Sequence, residues 1–383
     1  MDRPSCVRAF ALVLVAVVAA GCHSPSAGYP DRIEAVVDSV VAAIMAEHEV
    51  PGVAVGVTLD AQPQLFTYGV ASVASRQPVG EHTLFEIGSI SKVFTATLTG
   101  EAVATGALSL EQSASRYVPE LAGSAFDTVS VHDLGTYTAG GLPLQFPEGV
   151  VDPITYFAHW RPEYAVGTTR CYSNPSIGLL GEVAARSLGA PFEVVMGRLL
   201  SRLRLQETYL QVPAERMPLY ADGHDQAGKV TRLTPGPMGA PSYGLRTTVG
   251  DLLRFVQDNI DASSRDEMLQ RAFAATHVGY YTVSGLQQGL GWEMYEDPAD
   301  LDTLLAGNSA DVIFEAKAVE RLPTPRPAHA GMLFDKTGST NGFSAYVVFV
   351  PQRRIGVVLL ANKSIPIPDR VRAAHRILMA LAE

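Results

Sequence analysis

A serine and a lysine lie one helical turn apart, directly after a glycine, in the stretch FEIGSISKVFTATL at residues 85–98. Ser89 and Lys92 stand at positions i and i+3, so a helix that begins near Ser89 places both side chains on one face. The amphipathic run that follows favours such a helix. Two interpretations of Ser89 compete: it is a helix cap, or it is a nucleophile whose proton the amine of Lys92 takes.

Two further motifs supply other groups that acyl transfer by a serine needs. The stretch RCYSNPSIGLLGEVAA places Tyr172 and Asn174 on a turn before a predicted helix. The stretch FDKTGSTNGFSAYVVFVP places Lys336, Thr337 and Gly338 at the start of a predicted strand, where a glycine lets a substrate approach the backbone. Taken singly, these residues also have structural explanations as a packed ring, a turn residue and a solvated strand end. Their joint occurrence favours chemistry.

These residue types support nucleophilic catalysis without histidine. A serine hydroxyl is a poor nucleophile until a neighbouring base removes its proton. The ammonium groups of Lys92 and Lys336 would lower the pKa of Tyr172 because they favour its phenolate. The oxyanion that forms on attack then needs two backbone N–H donors. The three motifs together predict an acyl-transfer enzyme.

Strand patterns occur near both ends of the chain. They cover residues 53–59, 64–73, 344–351 and 354–362. An amphipathic helix is predicted before the first of them, over residues 31–50, and a final helix is opened by Pro368 after the last. The middle of the chain has mainly helix and loop patterns.

The predicted fold class is α/β (α+β), with one antiparallel sheet built from both termini, flanked by helices, and an inserted mainly helical domain. The catalytic unit covers residues 31–383. Its α/β part is about 31–85 plus 325–383, and its mainly helical part is about 86–324. The Pro-rich stretch at residues 321–331 is predicted to be a loop. A cleft is expected where the two parts meet.

Composition excludes some classes of function. The 383 residues are 47% hydrophobic and 18% charged, which is typical of a globular protein with a large core. The formal net charge is −10 and no basic block occurs, so nucleic acid is not an expected partner. The nine histidines are scattered without a zinc-binding spacing, so neither a metal nor another cofactor is predicted.

The N-terminus has the pattern of an export signal. An apolar run over residues 9–20 follows two arginines and is too short to span a bilayer. We predict a signal peptide over residues 1–21, a tether over residues 22–30 and a periplasmic location. The sequence VAAGC also resembles a lipoprotein box, in which Cys22 would carry a lipid anchor. Cys171 is then left without a partner, so no structural disulfide is expected.

The three motifs resemble those of the serine β-lactamase and penicillin-binding protein superfamily, in which Ser-x-x-Lys and Lys-Thr-Gly recur. The closer resemblance is to class C β-lactamases and extends over essentially the whole mature chain. The stretches that carry it, in order, are LFEIGSISKVFTATLTGEA, TYTAGGLPLQFPE, YSNPSIGLLGE, QGLGWEMY, KTGSTNGFSAYVVFVP and VVLLANKS. Class A is a poorer match, because Tyr172 stands where that class has a serine.

The resemblance implies catalytic roles for the matching residues. Ser89 would be the acylated nucleophile, and Lys92 and Tyr172 would be its proton-transfer partners. The backbone N–H groups of Ser89 and Ser339 would form the oxyanion hole. Lys336 would complete the catalytic set beside Tyr172.

The resemblance also implies a substrate site. Gln145 and Asn174 would hold the acylamino side chain of the substrate, and Tyr243 would line the pocket for that side chain. Lys336 and Thr337 would face the substrate's carboxylate. The remaining matching positions on the substrate side are Gly338, Ser339, Asn362 and Arg370.

Two positions depart from the pattern. Ser364 and Ile367 stand where the family commonly has asparagines. Ile367 cannot donate a hydrogen bond, so carboxylate recognition would rest on Thr337, Ser364 and Arg370.

The implied function is hydrolysis of the β-lactam amide bond of antibiotics, with cephalosporins favoured, through a serine acyl-enzyme. Such an enzyme confers antibiotic resistance and is expected to act as a monomer. Two alternatives use the same nucleophile: a carboxylesterase or D-Ala-D-Ala peptidase, and a penicillin-binding protein that is acylated without turnover.

Overall fold

The computed structural model describes Met1 and residues 29–329 and 331–382. The predicted signal peptide beyond Met1, most of the tether and Cys22 lie outside the described residues. The helices are α1 (Tyr29–His48), α2 (Ser91–Ala104), α3 (Val131–Gly135), α4 (Pro153–His159), α5 (Asn174–Ser187), α6 (Phe192–Arg202), α7 (Gly239–Tyr243), α8 (Val249–Ile260), α9 (Glu267–Thr276), α10 (Leu301–Gly307), α11 (Ala310–Phe314) and α12 (Ile367–Ala382). Among the described residues, no helix combines the length and apolar character that a membrane crossing requires.

The strands follow the same chain order. They are β1 (Gly52–Leu59), β2 (Gln62–Ser72), β3 (Gln77–Pro78), β4 (Phe85–Glu86), β5 (Thr169–Arg170), β6 (Gly223–His224), β7 (Val230–Thr231), β8 (Arg246–Thr247), β9 (Val278–Val283), β10 (Leu286–Gln288), β11 (Glu293–Glu296), β12 (Lys317–Ala318), β13 (Glu320–Pro327), β14 (Met332–Ser339), β15 (Ser344–Val350) and β16 (Ile355–Ala361).

Ten of these strands form one antiparallel sheet, in the order β13-β9-β10-β11-β14-β15-β16-β1-β2-β3. Strands from the two ends of the chain meet inside this sheet, where β1 pairs with β16 and Val53 lies opposite Ala361. The predicted sheet built from both termini is therefore confirmed. The remaining strands form three short pairs, β4 with β8, β5 with β12 and β6 with β7.

Helices cover both faces of the sheet, which explains why its central strands are apolar at almost every position. β15 and β16 have seven residues each, all of them buried. On one face, α1 contributes Ile33, Val37 and Val41 at helical spacing and packs beside α12. On the other face, α8 packs against β16 and β1. The predicted architecture of a sheet flanked by helices is confirmed.

The sheet contains more of the middle of the chain than the sequence predicts. Residues 278–296, placed in the mainly helical part, add β9, β10 and β11. These strands have six, three and four residues, too few to show a clear period. The predicted loop at residues 321–331 is wrong as far as Pro327, because β13 pairs with β9 at the sheet edge. Prolines are tolerated there because an edge strand has N–H positions without a partner strand.

Candidate active site

Ser89 lies in a 3-10 turn (Gly88–Ile90) that runs directly into α2. The helix itself begins at Ser91, so Ser89 precedes the helix instead of beginning it. In a 3-10 turn, residues three apart fall on one face. Nζ of Lys92 accordingly donates a hydrogen bond to Oγ of Ser89 at 2.9 Å. The predicted contact between the two side chains is present.

The ammonium group of Lys92 is fully buried and has three acceptors. Besides Ser89, Nζ donates to Oδ1 of Asn174 at 2.6 Å and to the carbonyl oxygen of Ser242 at 2.9 Å. Asn174 is the first residue of α5, which Ser173 caps through its hydroxyl. The three donors of an ammonium group are thus all used. No sequence motif had indicated Ser242, whose backbone oxygen makes the contact.

The ring of Tyr172 lies close to two ammonium groups. Nζ of Lys92 is 5.1 Å and Nζ of Lys336 is 5.2 Å from the ring centroid. Burial by itself raises the pKa of Tyr172, but the charges of Lys336 and Lys92 outweigh this effect and the pKa is lowered. The electrostatic arrangement expected from the sequence is therefore present.

The two lysines differ in how firmly they hold their protons. Burial lowers the pKa of Lys92 to about 8, although the oxygen of Tyr172 opposes this, and the charge of Lys336 lowers it further. Burial also acts to lower the pKa of Lys336, but the negative charges of Glu293, Tyr172 and Asp335 together outweigh it and the pKa is raised. Lys336 therefore remains an ammonium ion at neutral pH, whereas Lys92 can exchange a proton there.

Glu293 and Arg170 complete the charge balance of the site, and no motif had singled them out. The Glu293 carboxylate accepts hydrogen bonds from Nζ of Lys336 and from Nη2 of Arg170, each at 3.3 Å. Arg170 also donates from Nε to Oε1 of Gln288 at 2.7 Å. The only sequence feature that points to them is their position near the motifs. Arg170 lies two residues before Tyr172, and Glu293 lies inside QGLGWEMY.

Two glycines let the Ser89 turn touch strand β14. Gly88 has a φ of +48°, and a Cβ on it would lie 2.6 Å from the backbone nitrogen of Ser339. A Cβ on Gly338 would lie 2.0 Å from the carbonyl oxygen of Ile87. The backbone of Ser339 is therefore held beside Ser89, as an oxyanion hole formed by the two N–H groups would require. Gly338 is needed for contact between two segments of the protein, in addition to any approach of substrate.

Gly338→Ala is expected to lower the free energy of unfolding by about 3 kcal/mol, because the new methyl group would overlap the Ile87 carbonyl oxygen. Urea unfolding measures this loss. Gly197→Ala is the control: this glycine is exposed in α6 and a Cβ on it would meet nothing within 4 Å. That substitution is expected to stabilise the helix by up to about 1 kcal/mol. Equal effects of the two substitutions would contradict the close approach of β14.

Arg370 is buried and holds the end of β14, so its predicted place beside the substrate carboxylate needs correction. Nη1 donates to the carbonyl oxygens of Gly338 and Ala345, and Nη2 donates to Oγ of Ser339 at 2.8 Å. Burial lowers the pKa of Arg370 to about 10, which leaves the group charged at neutral pH. Two backbone carbonyls and the Ser339 hydroxyl occupy its guanidinium group, so Arg370 positions Ser339.

Asn362 is also a structural group, which corrects its assignment to the substrate site. Its side chain is fully buried. Oδ1 accepts the N–H of Gly52 at 2.7 Å, and Nδ2 donates to the carbonyl oxygens of Val70 and Asp222, each at 3.1 Å. The amide group joins β1, β2 and the segment before β6, and its polar atoms are already paired with backbone.

The other predicted substrate residues lie on the segments that carry the contacts of Lys92 and Lys336. Gln145 is exposed, and the preceding carbonyl of Leu144 accepts the N–H of Asn174 at 3.0 Å. Tyr243 ends α7 directly after Ser242, and its hydroxyl accepts the N–H of Gly236 at 3.3 Å. Thr337 continues β14 after Lys336, and its side chain is almost fully buried.

The two departing positions lie after β16. Ser364 is half-buried and lines a cavity of about 610 Å³ together with Thr340 and Asn341. Ile367 is half-buried at the start of α12. Cys171, beside Tyr172, is half-buried and lines a smaller cavity of about 190 Å³. Burial raises the pKa of its thiol, in keeping with a packing role.

Comparison with known proteins agrees with this geometry. The family model described as Beta-lactamase matches residues 37–382. A β-lactamase from Pseudomonas fluorescens is 50% identical over 353 residues, which cover 91% of this chain and 99% of that protein. The chain therefore belongs to the β-lactamase family.

Solved structures show the same relationship in three dimensions. A β-lactamase/D-alanine carboxypeptidase from Pseudomonas syringae superposes with a TM-score of 0.89 at 44% identity, over 91% of this chain and 98% of that one. A class C β-lactamase solved in complex with cefoxitin superposes with a TM-score of 0.88 at 41% identity, over 91% and 99% of the two chains. The resemblance to class C enzymes that the motifs indicated is confirmed.

Proposed function

We propose that this protein hydrolyses the amide bond of β-lactam rings through an acyl-enzyme on Ser89. The observation that carries the proposal is the hydrogen bond between Lys92 Nζ and Ser89 Oγ, beside a tyrosine whose pKa is lowered. A hydroxyl with a base in direct contact is the geometry of an activated nucleophile. Membership of the β-lactamase family supports the choice of substrate.

Acylation begins when Ser89 Oγ forms a bond to the lactam carbonyl carbon. The hydroxyl proton passes to the Lys92–Tyr172 pair, and about a tenth of Lys92 is neutral at pH 7 when its pKa is about 8. The N–H groups of Ser89 and Ser339 stabilise the oxyanion. The carbon–nitrogen bond then breaks, and the ring nitrogen takes the proton.

Deacylation reverses the roles of the same groups. Water gives a proton to the Lys92–Tyr172 pair and attacks the ester carbon, and Ser89 Oγ leaves and recovers its proton. Gln145 and Asn174 orient the acylamino group, and Tyr243 lines its pocket. Lys336 and Thr337 face the substrate carboxylate. Because Arg370 is bound within the protein, Ser364 is the side chain left to replace the missing asparagines in recognition of the substrate carboxylate. Cephalosporins remain the favoured substrates.

The test is turnover of a chromogenic cephalosporin by the protein without residues 1–21, with intact mass recorded at early times. Catalytic ring opening with a transient adduct of the substrate's mass is expected. A persistent adduct without turnover would instead identify a penicillin-binding protein. Absence of both would overturn the proposal and favour a carboxylesterase, which a short-chain ester would reveal.

D-alanine carboxypeptidase activity is a second candidate. The structure from Pseudomonas syringae at 44% identity is described as both β-lactamase and D-alanine carboxypeptidase. The two reactions would share the nucleophile and differ in the leaving group, so the same proposed mechanism applies to either. Release of D-alanine from a D-Ala-D-Ala peptide, measured beside cephalosporin hydrolysis, decides between one activity and two.

Glu293→Gln is expected to lower the free energy of unfolding by about 3 kcal/mol, because Arg170 and Lys336 would lose their buried carboxylate. The carboxylate also acts to raise the pKa of Tyr172, so its removal lowers that pKa further in the pH range where Lys336 keeps its proton. If the ionised tyrosine is the active form, the acidic limb of the pH–rate profile moves to lower pH. Urea unfolding and initial rates between pH 5 and 9 measure the two effects.

The matched control is Glu296→Gln on the same strand. The Glu296 side chain is 60% exposed and pairs with His329 at the surface. Its loss is expected to cost less than about 1 kcal/mol and to leave the pH profile unchanged. Identical unfolding energies for the two variants would show that the buried charge network contributes nothing.

We also infer export to the periplasm by a signal peptide over residues 1–21, and a monomeric enzyme. The apolar run at residues 9–20 supports the first inference. The N-terminal mass of the protein recovered from cells distinguishes simple cleavage from a lipid on Cys22. Light scattering during gel filtration measures the oligomeric state.

A further inference from the structure

A cavity of about 780 Å³ lies against α7, outside the proposed active site. Its walls come from α5, the start of α6, the segment before α7 and α7 itself. Apolar side chains dominate, among them Phe192, Met238 and Pro241. A cavity of this volume with mainly apolar walls is typical of a small-molecule site.

The helix α7 lines this cavity on one side and contacts the Lys92 amine on the other. Its residues 239–241 line the cavity. On the catalytic side, the carbonyl of Ser242 accepts from Lys92 Nζ at 2.9 Å, and the carbonyl of Pro241 accepts from Oγ1 of Thr95 at 2.8 Å. A displacement of α7 therefore changes the surroundings of Lys92 directly.

The segment that enters α7 is also connected to Tyr243. The N–H of Gly236, a cavity residue, donates to the Tyr243 hydroxyl at 3.3 Å. Met238 has a left-handed backbone with φ of 47° and ψ of 27°, which is unfavourable for a side chain of this kind. This segment thus holds strain that a bound molecule can relieve or increase.

The charges in the wall favour a cation. Arg186 donates to Glu182 at 2.6 Å and to both oxygens of Glu120 at 2.7 and 2.8 Å, so two carboxylates neutralise one guanidinium group. Glu193, which also lines the cavity, has no ion-pair partner among residues 29–329 and 331–382. The wall therefore carries an excess of negative charge beside apolar surface.

We propose that this cavity is a regulatory site for an arylalkylammonium ion, a small molecule with an apolar ring and a charged ammonium group. Its occupancy alters turnover through α7. The ring occupies the apolar part against Met238 and Phe192, and the ammonium group lies toward Glu193. The regulatory effect rests on the proposed function, whereas binding itself does not. No covalent step is involved.

The probe is 2-naphthylmethylammonium, titrated into the protein labelled with ¹³C at its methionine methyl groups. A saturable shift of the Met238 signal, assigned with Met238→Leu, is expected in the millimolar range. The neutral 2-naphthylmethanol is expected to bind more weakly than the cation. Glu193→Gln is expected to reduce the affinity for the cation about threefold and so to remove the difference in affinity between the two probes. No shift of the Met238 signal would overturn the site, whatever the enzyme's activity.

The second measurement is cephalosporin turnover with the same probe. At saturation kcat is expected to fall about fivefold with little change in KM, because the probe does not occupy the substrate cleft. Ala190→Trp, which fills the cavity from its wall, is expected to abolish the probe's effect. Inhibition that is competitive, or that persists in a folded Ala190→Trp variant, would contradict regulation through this cavity. Glu193→Gln keeps the test decisive if the tryptophan variant does not fold.

Discussion

Ser89→Ala is expected to lower kcat for a chromogenic cephalosporin by at least about 10⁴-fold. The proposed reaction begins with bond formation by Ser89 Oγ, and the substitution removes this atom. The Lys92 amine that contacts Oγ at 2.9 Å would remain, but without a hydroxyl to activate. Initial rates and intact mass together measure the effect, and the mass adduct is expected to disappear with turnover.

Ser91→Ala is the matched control for this substitution. Ser91 lies two residues further along, is fully buried and accepts the N–H of Leu245 at 3.1 Å. Its replacement is expected to cost about 1 kcal/mol of stability and to leave kcat within about threefold. Turnover that survives Ser89→Ala would mean that another group attacks the ring, and the proposed mechanism would be wrong.

The part of the site that could be predicted from sequence is the part that local geometry determines. Ser89 and Lys92 are three residues apart, so the turn and helix alone bring their side chains together. Asn174 could be placed before a helix by the same local reasoning. The prediction that Tyr172 joins them rests on the joint occurrence of the three motifs and their resemblance to a known family. Local geometry does not relate residues so distant in the chain.

The sequence gives the chemical type of each side chain but not the partners that it contacts in the fold. Asn362 and Arg370 have the polar character of substrate-binding residues, yet their groups pair with backbone in the interior. Glu293 is the opposite case: it belongs to the site, but no sequence pattern indicates that a glutamate in so short a strand is buried. Its role depends on Lys336 and Arg170, which reach it from other strands. Tertiary packing decides such pairings, and no sequence period encodes them.

The same limit applies to the edge of the sheet. β13 contains three prolines and β10 only three residues, so neither has the alternation that identifies a strand. They are strands because β9 offers each of them a partner. The central strands β15 and β16, in contrast, are buried along their whole length, and their continuous apolar runs made them predictable.

The charge balance around Tyr172 connects fold and proposed chemistry. The sheet contributes Lys336 and Glu293, while the helical part contributes Lys92 through α2. Lys336 and Lys92 lower the pKa of Tyr172, and Glu293 opposes them while keeping Lys336 charged. The site thus holds a tyrosine that can lose its proton beside a lysine that can share it.

Tyr172→Phe is expected to lower kcat by about 10²- to 10⁴-fold, the usual contribution of a positioned proton-transfer group. The Tyr172 oxygen raises the pKa of Lys92, which is about 8 with the tyrosine present. Its removal therefore lowers the pKa of Lys92, and the acidic limb of the residual activity is expected to move to lower pH. Initial rates between pH 5 and 9, with early intact masses, measure both changes.

Tyr137→Phe is the control that separates proton transfer from packing. The Tyr137 ring lies 4.8 Å from that of Tyr172, and its buried hydroxyl finds no hydrogen-bond partner among the described side chains and backbone. Removal of an unpaired buried hydroxyl is expected to keep kcat and to raise stability slightly. If both phenylalanine variants retained acylation and turnover, Lys92 alone would be the base. The lowered pKa of Tyr172 would then be a consequence of its cationic neighbours without a catalytic use.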